Sequence, residues 1–93
     1  MTQAAARHIL VATEHECENL KNEILNGADF AVLAQEHSQC PSGAEGGALG
    51  TFGRGQMVKE FDEVVFSAPI GEVQGPVQTQ FGYHLVEVTN RED

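Results

Sequence analysis

Basic residues are scarce in this chain: five Lys and Arg stand against fourteen Asp and Glu, a formal charge of -9 over 93 residues. The five cations, Arg7, Lys21, Arg54, Lys59 and Arg91, are scattered. The basic footprint that releases counterions from nucleic acid is therefore missing, and a nucleic-acid partner is excluded. The same acidic balance works against anionic membranes and phosphorylated peptides and favours neutral or basic partners. Cysteine is equally sparse, for Cys17 and Cys40 make neither a disulfide framework nor a zinc cluster, and a reducing compartment is the simpler setting. No apolar run approaches the roughly 18 residues of a membrane span, and no basic-then-apolar leader opens the chain. A soluble, cytoplasmic protein without membrane association is expected.

Tryptophan is absent and Tyr83 is the single tyrosine, yet the hydrophobic fraction of 41%, with five Phe, is that of a globular chain and not a disordered one. The length fits one domain over residues 1–93. Its core is small, which limits stability to about 5 kcal/mol and leaves no room for a large cofactor cavity.

No internal repeat, linker or low-complexity tract interrupts the chain. Glycine is concentrated in the middle, five of the ten falling between Gly43 and Gly53. No Gly-Lys-Ser/Thr ending accompanies them, so turn geometry explains these glycines better than phosphate binding. Arg7 to Val11 predicts a strand with His8 and Leu10 on one face and Arg7, Ile9 and Val11 on the other. From Glu14 the spacing becomes helical, with Cys17, Leu20, Ile24 and Leu25 as the apolar stripe and Gly27 as the stop. Asp29 is an N-cap for a second helix that directs Phe30, Leu33, Ala34 and His37 inward. Pro41 opens only a short turn before the glycines. Ala48 to Phe52 predicts a strand, and Met57 or Val58 with Phe61, Val64 and Val65 a helix ended by Pro69 and Gly71. Pro76 to Thr79, a turn at Gln80-Phe81-Gly82, and Tyr83 to Thr89 predict a hairpin, with His84, Val86 and Val88 on one face. The order describes an α+β domain built on a small, mostly antiparallel sheet.

The segments Cys40-Pro41-Ser42-Gly43, Gly46-Gly47-Ala48-Leu49-Gly50-Thr51-Phe52 and Gly55-Gln56-Met57 through Phe61 keep a fixed order. His8-Ile9-Leu10-Val11 precedes them, and Gly75-Pro76-Val77 and Phe81-Gly82-Tyr83-His84 follow. Together they resemble the parvulins, which are peptidyl-prolyl cis/trans isomerases. The resemblance covers essentially the whole chain and is closest to the minimal, single-domain bacterial kind, which implies a complete and monomeric protein. It further implies a parvulin-like (FKBP-like) fold of four mostly antiparallel strands surrounded by four helices, in the order β-α-α-α-β-α-β-β, and no metal or organic cofactor. It assigns His8, Cys40, Thr79 and His84 to the reacting centre. It puts Leu49, Met57 and Phe61 in the proline pocket, with Phe81 at its rim and Gln39 beside it. Phosphate-directed parvulins hold basic residues after the first strand, where this chain reads Ala12-Thr13-Glu14-His15-Glu16, so phospho-specificity is not expected. Two further positions depart from the family: the Ala44-Glu45-Gly46 loop lacks a basic residue, and Lys59 stands where proline is common.

These residue types suit the chemistry. Twisting a prolyl amide breaks no bond but loses resonance, against a barrier of roughly 18 to 20 kcal/mol. An apolar pocket grips the pyrrolidine ring and removes the water that favours the planar amide, and oriented donors from His8, His84 and Thr79 stabilise charge that shifts on rotation. No net proton transfer is needed, so the histidine pair is expected to tune the site and not to shuttle a proton. Cys40 invites a covalent role, but parvulins can carry aspartate there, which fits electrostatic tuning.

Blander assignments compete with each of these. Lone histidines are more often satisfied core residues than catalysts, Met57 and Phe61 at i, i+4 are ordinarily helix core, and a metal site from His8, Cys40 and His84 lacks the close ligand pair of zinc centres. His15 reads as a surface residue, Cys17 as a small buried hydrophobe, and Glu14, Glu16, Glu18 and Glu23 as a solvated face. The expected function is isomerisation of Xaa-Pro bonds in unfolded or flexible chains, with an apolar residue preferred before proline. The alternative is a non-catalytic, chaperone-like module that holds proline-bearing or unfolded segments.

Overall fold

The computed structural model describes residues 3–92. The order is β1 (Gln3–Val11), α1 (Glu14–Leu25), α2 (Phe30–His37), a 3-10 turn (Pro41–Glu45), β2 (Ala48–Gly53), α3 (Lys59–Val65), β3 (Val73–Thr79) and β4 (Gly82–Glu92). All pairings are antiparallel, and the sheet runs β2-β1-β4-β3. The first and last strands therefore lie side by side at its centre.

Alternation on these two strands divides the core. Ala4 and Ala6 of β1 with Val86 and Val88 of β4 face one side, where Phe61 and Val65 of α3 cover them together with Phe52 and Phe66. Ile9, Val11 and Leu85 face the other side, against Cys17 and Leu20 of α1 and Phe30, Leu33 and Ala34 of α2. The Thr13 hydroxyl caps α1 by accepting the Glu16 N–H, and Asp29 caps α2 by accepting from Ala31 and Val32. Arg7 pairs with Glu87 and lays its guanidinium 4.6 Å from the Phe30 ring centroid, so its charge is satisfied beside the α2 layer.

Several elements differ from expectation. β1 begins at Gln3 and not at Arg7, because the small Ala4 and Ala6 side chains let the aromatic cluster under α3 close over them. Of the four helices implied, one is the 3-10 turn; Pro41 opens it, and Gly46 and Gly47, at φ 72° and 86°, turn the chain out of helical geometry. Leu25 is 68% exposed. Each helical residue turns by about 100°, so Ile24 takes the place over the sheet and Leu25 swings to the side. His37, expected inward, is exposed at the last turn of α2, where a polar ring stays in water. Helix α3 starts after Met57, with Val58 as its N-cap, and ends at Val65 with Phe66 as its C-cap, before Pro69 is reached. The hairpin pairs Thr79 with Gly82, which reduces its turn to Gln80-Phe81.

Candidate active site

The central pairing sets Leu10 opposite His84 and His8 opposite Val86. His8 and His84 are thus diagonal neighbours on one face of adjacent strands, close enough for long side chains to touch. Their Nδ1 atoms lie 2.9 Å apart, with ring planes within 16° of each other. Both residues are about 95% buried. Phe61 stands edge-on to both, its centroid 5.5 Å from that of His8 and 5.7 Å from that of His84.

Every ring nitrogen of the pair has a partner. His84 Nε2 lies 2.8 Å from Thr79 Oγ1, and His8 Nε2 lies 3.1 Å from Ser42 Oγ. Ser42 Oγ in turn is 3.3 Å from Cys40 Sγ, and the Phe81 N–H donates to Thr79 Oγ1. Thr79 Oγ1 has two partners among the described residues, and the Phe81 amide can only donate to it. His84 Nε2 is therefore the one acceptor within reach of the Thr79 hydroxyl proton, and the pairing that leaves no buried donor idle sends the proton there. His84 then donates from Nδ1 to His8 Nδ1, His8 donates from Nε2 to Ser42, and the Ser42 hydroxyl donates to the Cys40 sulfur. Burial, and secondly the neighbouring His84 ring, pull the His8 pKa down to about 4. Burial lowers that of His84 as well. Both shifts favour neutral rings at pH 7, with one proton between the two Nδ1 atoms.

Above the pair opens a cleft of about 350 Å3, lined by His8, His84 and Phe61, with Leu49 of β2 and with Met57 and Val58 where the chain enters α3. Leu10, Gln39, Cys40, Pro41 and Phe81 complete it. Phe81 is 62% exposed at the hairpin turn, whereas Phe61, expected at the pocket surface, is only 3% exposed and serves both core and cleft. Met57 is half-buried.

Of the residues expected at the site, His8, Cys40, His84, Leu49, Met57, Phe61, Phe81 and Gln39 converge on this cleft. Thr79 does not line it. Its side chain is buried behind His84, so the expectation of a Thr79 donor aimed at a substrate gives way to a hydroxyl aimed at the imidazole. The histidines are likewise engaged with their neighbours and not free to donate into the cleft. Leu10, Pro41, Val58 and Ser42 were not expected. Leu10 was legible, since it alternates with His8 on the same strand face; Ser42 carried no such signal. Among the described residues no group of three His, Cys, Asp or Glu is set to hold a metal ion, and no helix is long and apolar enough to cross a membrane.

Comparison with known proteins agrees with this architecture. The family model described as the rotamase PPIC-type PPIase domain matches residues 2–90. A foldase protein PrsA of Geobacillus sp. (strain WCH70) is 46% identical over 89 residues, which is 95% of this chain and 32% of the relative. The crystal structure of the peptidylprolyl isomerase PrsA from Bacillus anthracis superposes with a TM-score of 0.96 at 38% identity, covering 99% of this chain and 43% of that one. The parvulin of Nitrosopumilus maritimus superposes with a TM-score of 0.87 at 33% identity, covering 97% of this chain and 98% of its own. Fold and sequence together define a parvulin-type peptidyl-prolyl cis/trans isomerase domain. The chain belongs to the PPIC-type rotamase family. It spans about a third of the length of the curated relatives it matches.

Proposed function

We propose that this domain accelerates cis/trans interchange at Xaa-Pro bonds in unfolded or flexible polypeptides, and that it favours an apolar residue before proline over a phosphorylated one. The observation that carries the proposal is an apolar cleft directly over a neutral, internally satisfied histidine pair. The pyrrolidine ring packs against Leu49, Met57 and Phe61. Apolar walls strip water from the amide, and with it the hydrogen bonds that favour the planar, charge-separated form, so the twisted amide loses least on entry. No ring nitrogen remains to exchange a proton with the substrate, so the pair acts as a rigid wall held from behind by Thr79. Cys40, at the cleft end of the hydrogen-bond chain, touches the substrate non-covalently. The foldase name of the Geobacillus relatives agrees with unfolded chains as clients. The acidic β1–α1 junction, Glu14 and Glu16, disfavours a phosphate beside the cleft.

Exchange NMR on short peptides that differ only in the residue before proline tests the proposal. Faster interchange on Leu-Pro than on phosphoserine-Pro peptides, reduced in a folded Met57→Ala variant, is the expected result. Chemical-shift changes at the cleft without acceleration would make the domain a holder of proline-bearing segments. A preference for phosphoserine would overturn the specificity.

A further inference from the structure

Ser42 sits in the 3-10 turn, inside a segment that carries the family resemblance but outside the residues the resemblance assigns to the reacting centre or the pocket. Among the described residues its side chain is the only bridge between the histidine pair and Cys40: Oγ lies 3.1 Å from His8 Nε2 and 3.3 Å from Cys40 Sγ. Its backbone is tied to the same strand. The Ser42 carbonyl accepts the Gly47 N–H at 2.8 Å, and the Gly47 carbonyl accepts the His8 N–H at 2.9 Å. Ser42, Gly47 and His8 therefore form a closed ring of two backbone hydrogen bonds and one through side chains. Gly47 fits there because a Cβ would lie 2.3 Å from the His8 carbonyl oxygen. A serine held so firmly at its backbone presents its hydroxyl to His8 with little freedom to lose, which is what orientation of an imidazole requires.

We infer that Ser42 is a positioning residue for the isomerisation: its hydroxyl holds His8 as the Nε2–H tautomer and directs the hydrogen-bond chain onto the Cys40 sulfur at the cleft. This rests on the isomerase function proposed above. Two alternatives for His8 exist, a proton on Nδ1 or on Nε2. With Thr79 donating to His84 from one end, only Nε2–H leaves every buried polar atom paired, and Ser42 is the acceptor that makes this tautomer complete. Without the hydroxyl, His8 Nε2 faces the cleft unpartnered, the tautomer preference weakens, and Cys40 loses its donor.

The test combines turnover with imidazole 15N shifts for wild type, Ser42→Ala and Ser42→Thr. In wild type, His8 shows a protonated Nε2 and a bare Nδ1, and His84 the reverse. In Ser42→Ala this order collapses toward averaged shifts and kcat falls by about tenfold with KM little changed, while thermal unfolding shows the fold intact. Ser42→Thr restores both readouts. Ser42→Ala with wild-type kcat and unchanged imidazole shifts would overturn the inference, as would a wild-type His8 protonated at Nδ1. If the wild type accelerates no Xaa-Pro peptide at all, the isomerase function fails; the 15N shifts still decide separately whether Ser42 orders the pair.

Discussion

Nδ1 of His8 and Nδ1 of His84 are 2.9 Å apart, and a contact of that kind has room for one proton. A second proton on His8 falls on Nδ1 and sets two donors face to face in a buried site, and one on His84 falls on Nε2 and takes away the acceptor of the Thr79 hydroxyl. Both pKa values lie below the ordinary 6.5, that of His8 at about 4. The unfolded chain therefore binds protons at these positions that the folded chain refuses. The stabilising contribution is fully present above pH 6.5, declines as the pH falls below 6.5, and is lost once it has fallen through about 4. Urea unfolding between about pH 7.5 and 4 is expected to show a decline on the order of 2 kcal/mol from His8, absent in a His8→Gln variant. A stability that is flat over that interval would contradict the neutral pair.

Met57 and Phe61 share the cleft but not the burial, and their truncations separate accordingly. Phe61→Ala removes a ring that is 3% exposed and touches both histidines, and is expected to cost about 3 to 5 kcal/mol. Met57→Ala is expected to cost about 1 kcal/mol, because the side chain is only half-buried. Activity falls in both. Denaturant midpoints measured beside turnover distinguish a folded, impaired Met57→Ala from an unstable Phe61→Ala.

Gly47 and Gly55 both adopt positive φ, 86° and 83°, but a Cβ on Gly47 would strike the His8 backbone whereas one on Gly55 meets nothing within 4 Å. Gly55→Ala is expected to cost about 1 kcal/mol of backbone strain and to leave turnover near wild type. Gly47→Ala is expected to cost at least about twice that and to perturb the His8 imidazole shifts. Equal effects of the two substitutions would show that the Gly47 contact does not position β1.

Cys40→Ser keeps an acceptor for the Ser42 hydroxyl. It is expected to retain most of the turnover, within about tenfold of wild type, since no bond to sulfur forms. Complete loss in a folded variant would favour covalent attack instead.

Period-two alternation was enough to set His8 with Leu10 and His84 with Val86 on one face of their strands, and the family motifs were enough to gather the cleft residues from five separate stretches of chain. What remained illegible has one physical cause. Alternation says which face a residue takes but not what meets it there. Leu25 fits the helical stripe and still projects past the sheet, and His37 shares the Phe30 face yet ends in water. Thr79 was expected to face the substrate; the hairpin register turns it toward His84 instead. Ser42 lies in a turn whose course is set by Pro41 and three glycines, and its partners come from β1 and from Cys40, so its role depends on tertiary closure that no local pattern encodes.

The pairing of β1 with β4, which runs from Gln3 opposite Glu92 to Val11 opposite Tyr83, governs when this domain can form. The two strands that carry the histidines are joined through most of the length of the chain, so the centre of the sheet closes only after the final strand has been synthesised. Contacts of such long sequence separation close slowly, because the loop entropy is lost before any pairing compensates it. During synthesis β1 can take β2 on one edge as soon as that strand has emerged, but its other edge stays open until β4 arrives, and only that last pairing brings His84 to His8 and completes the site.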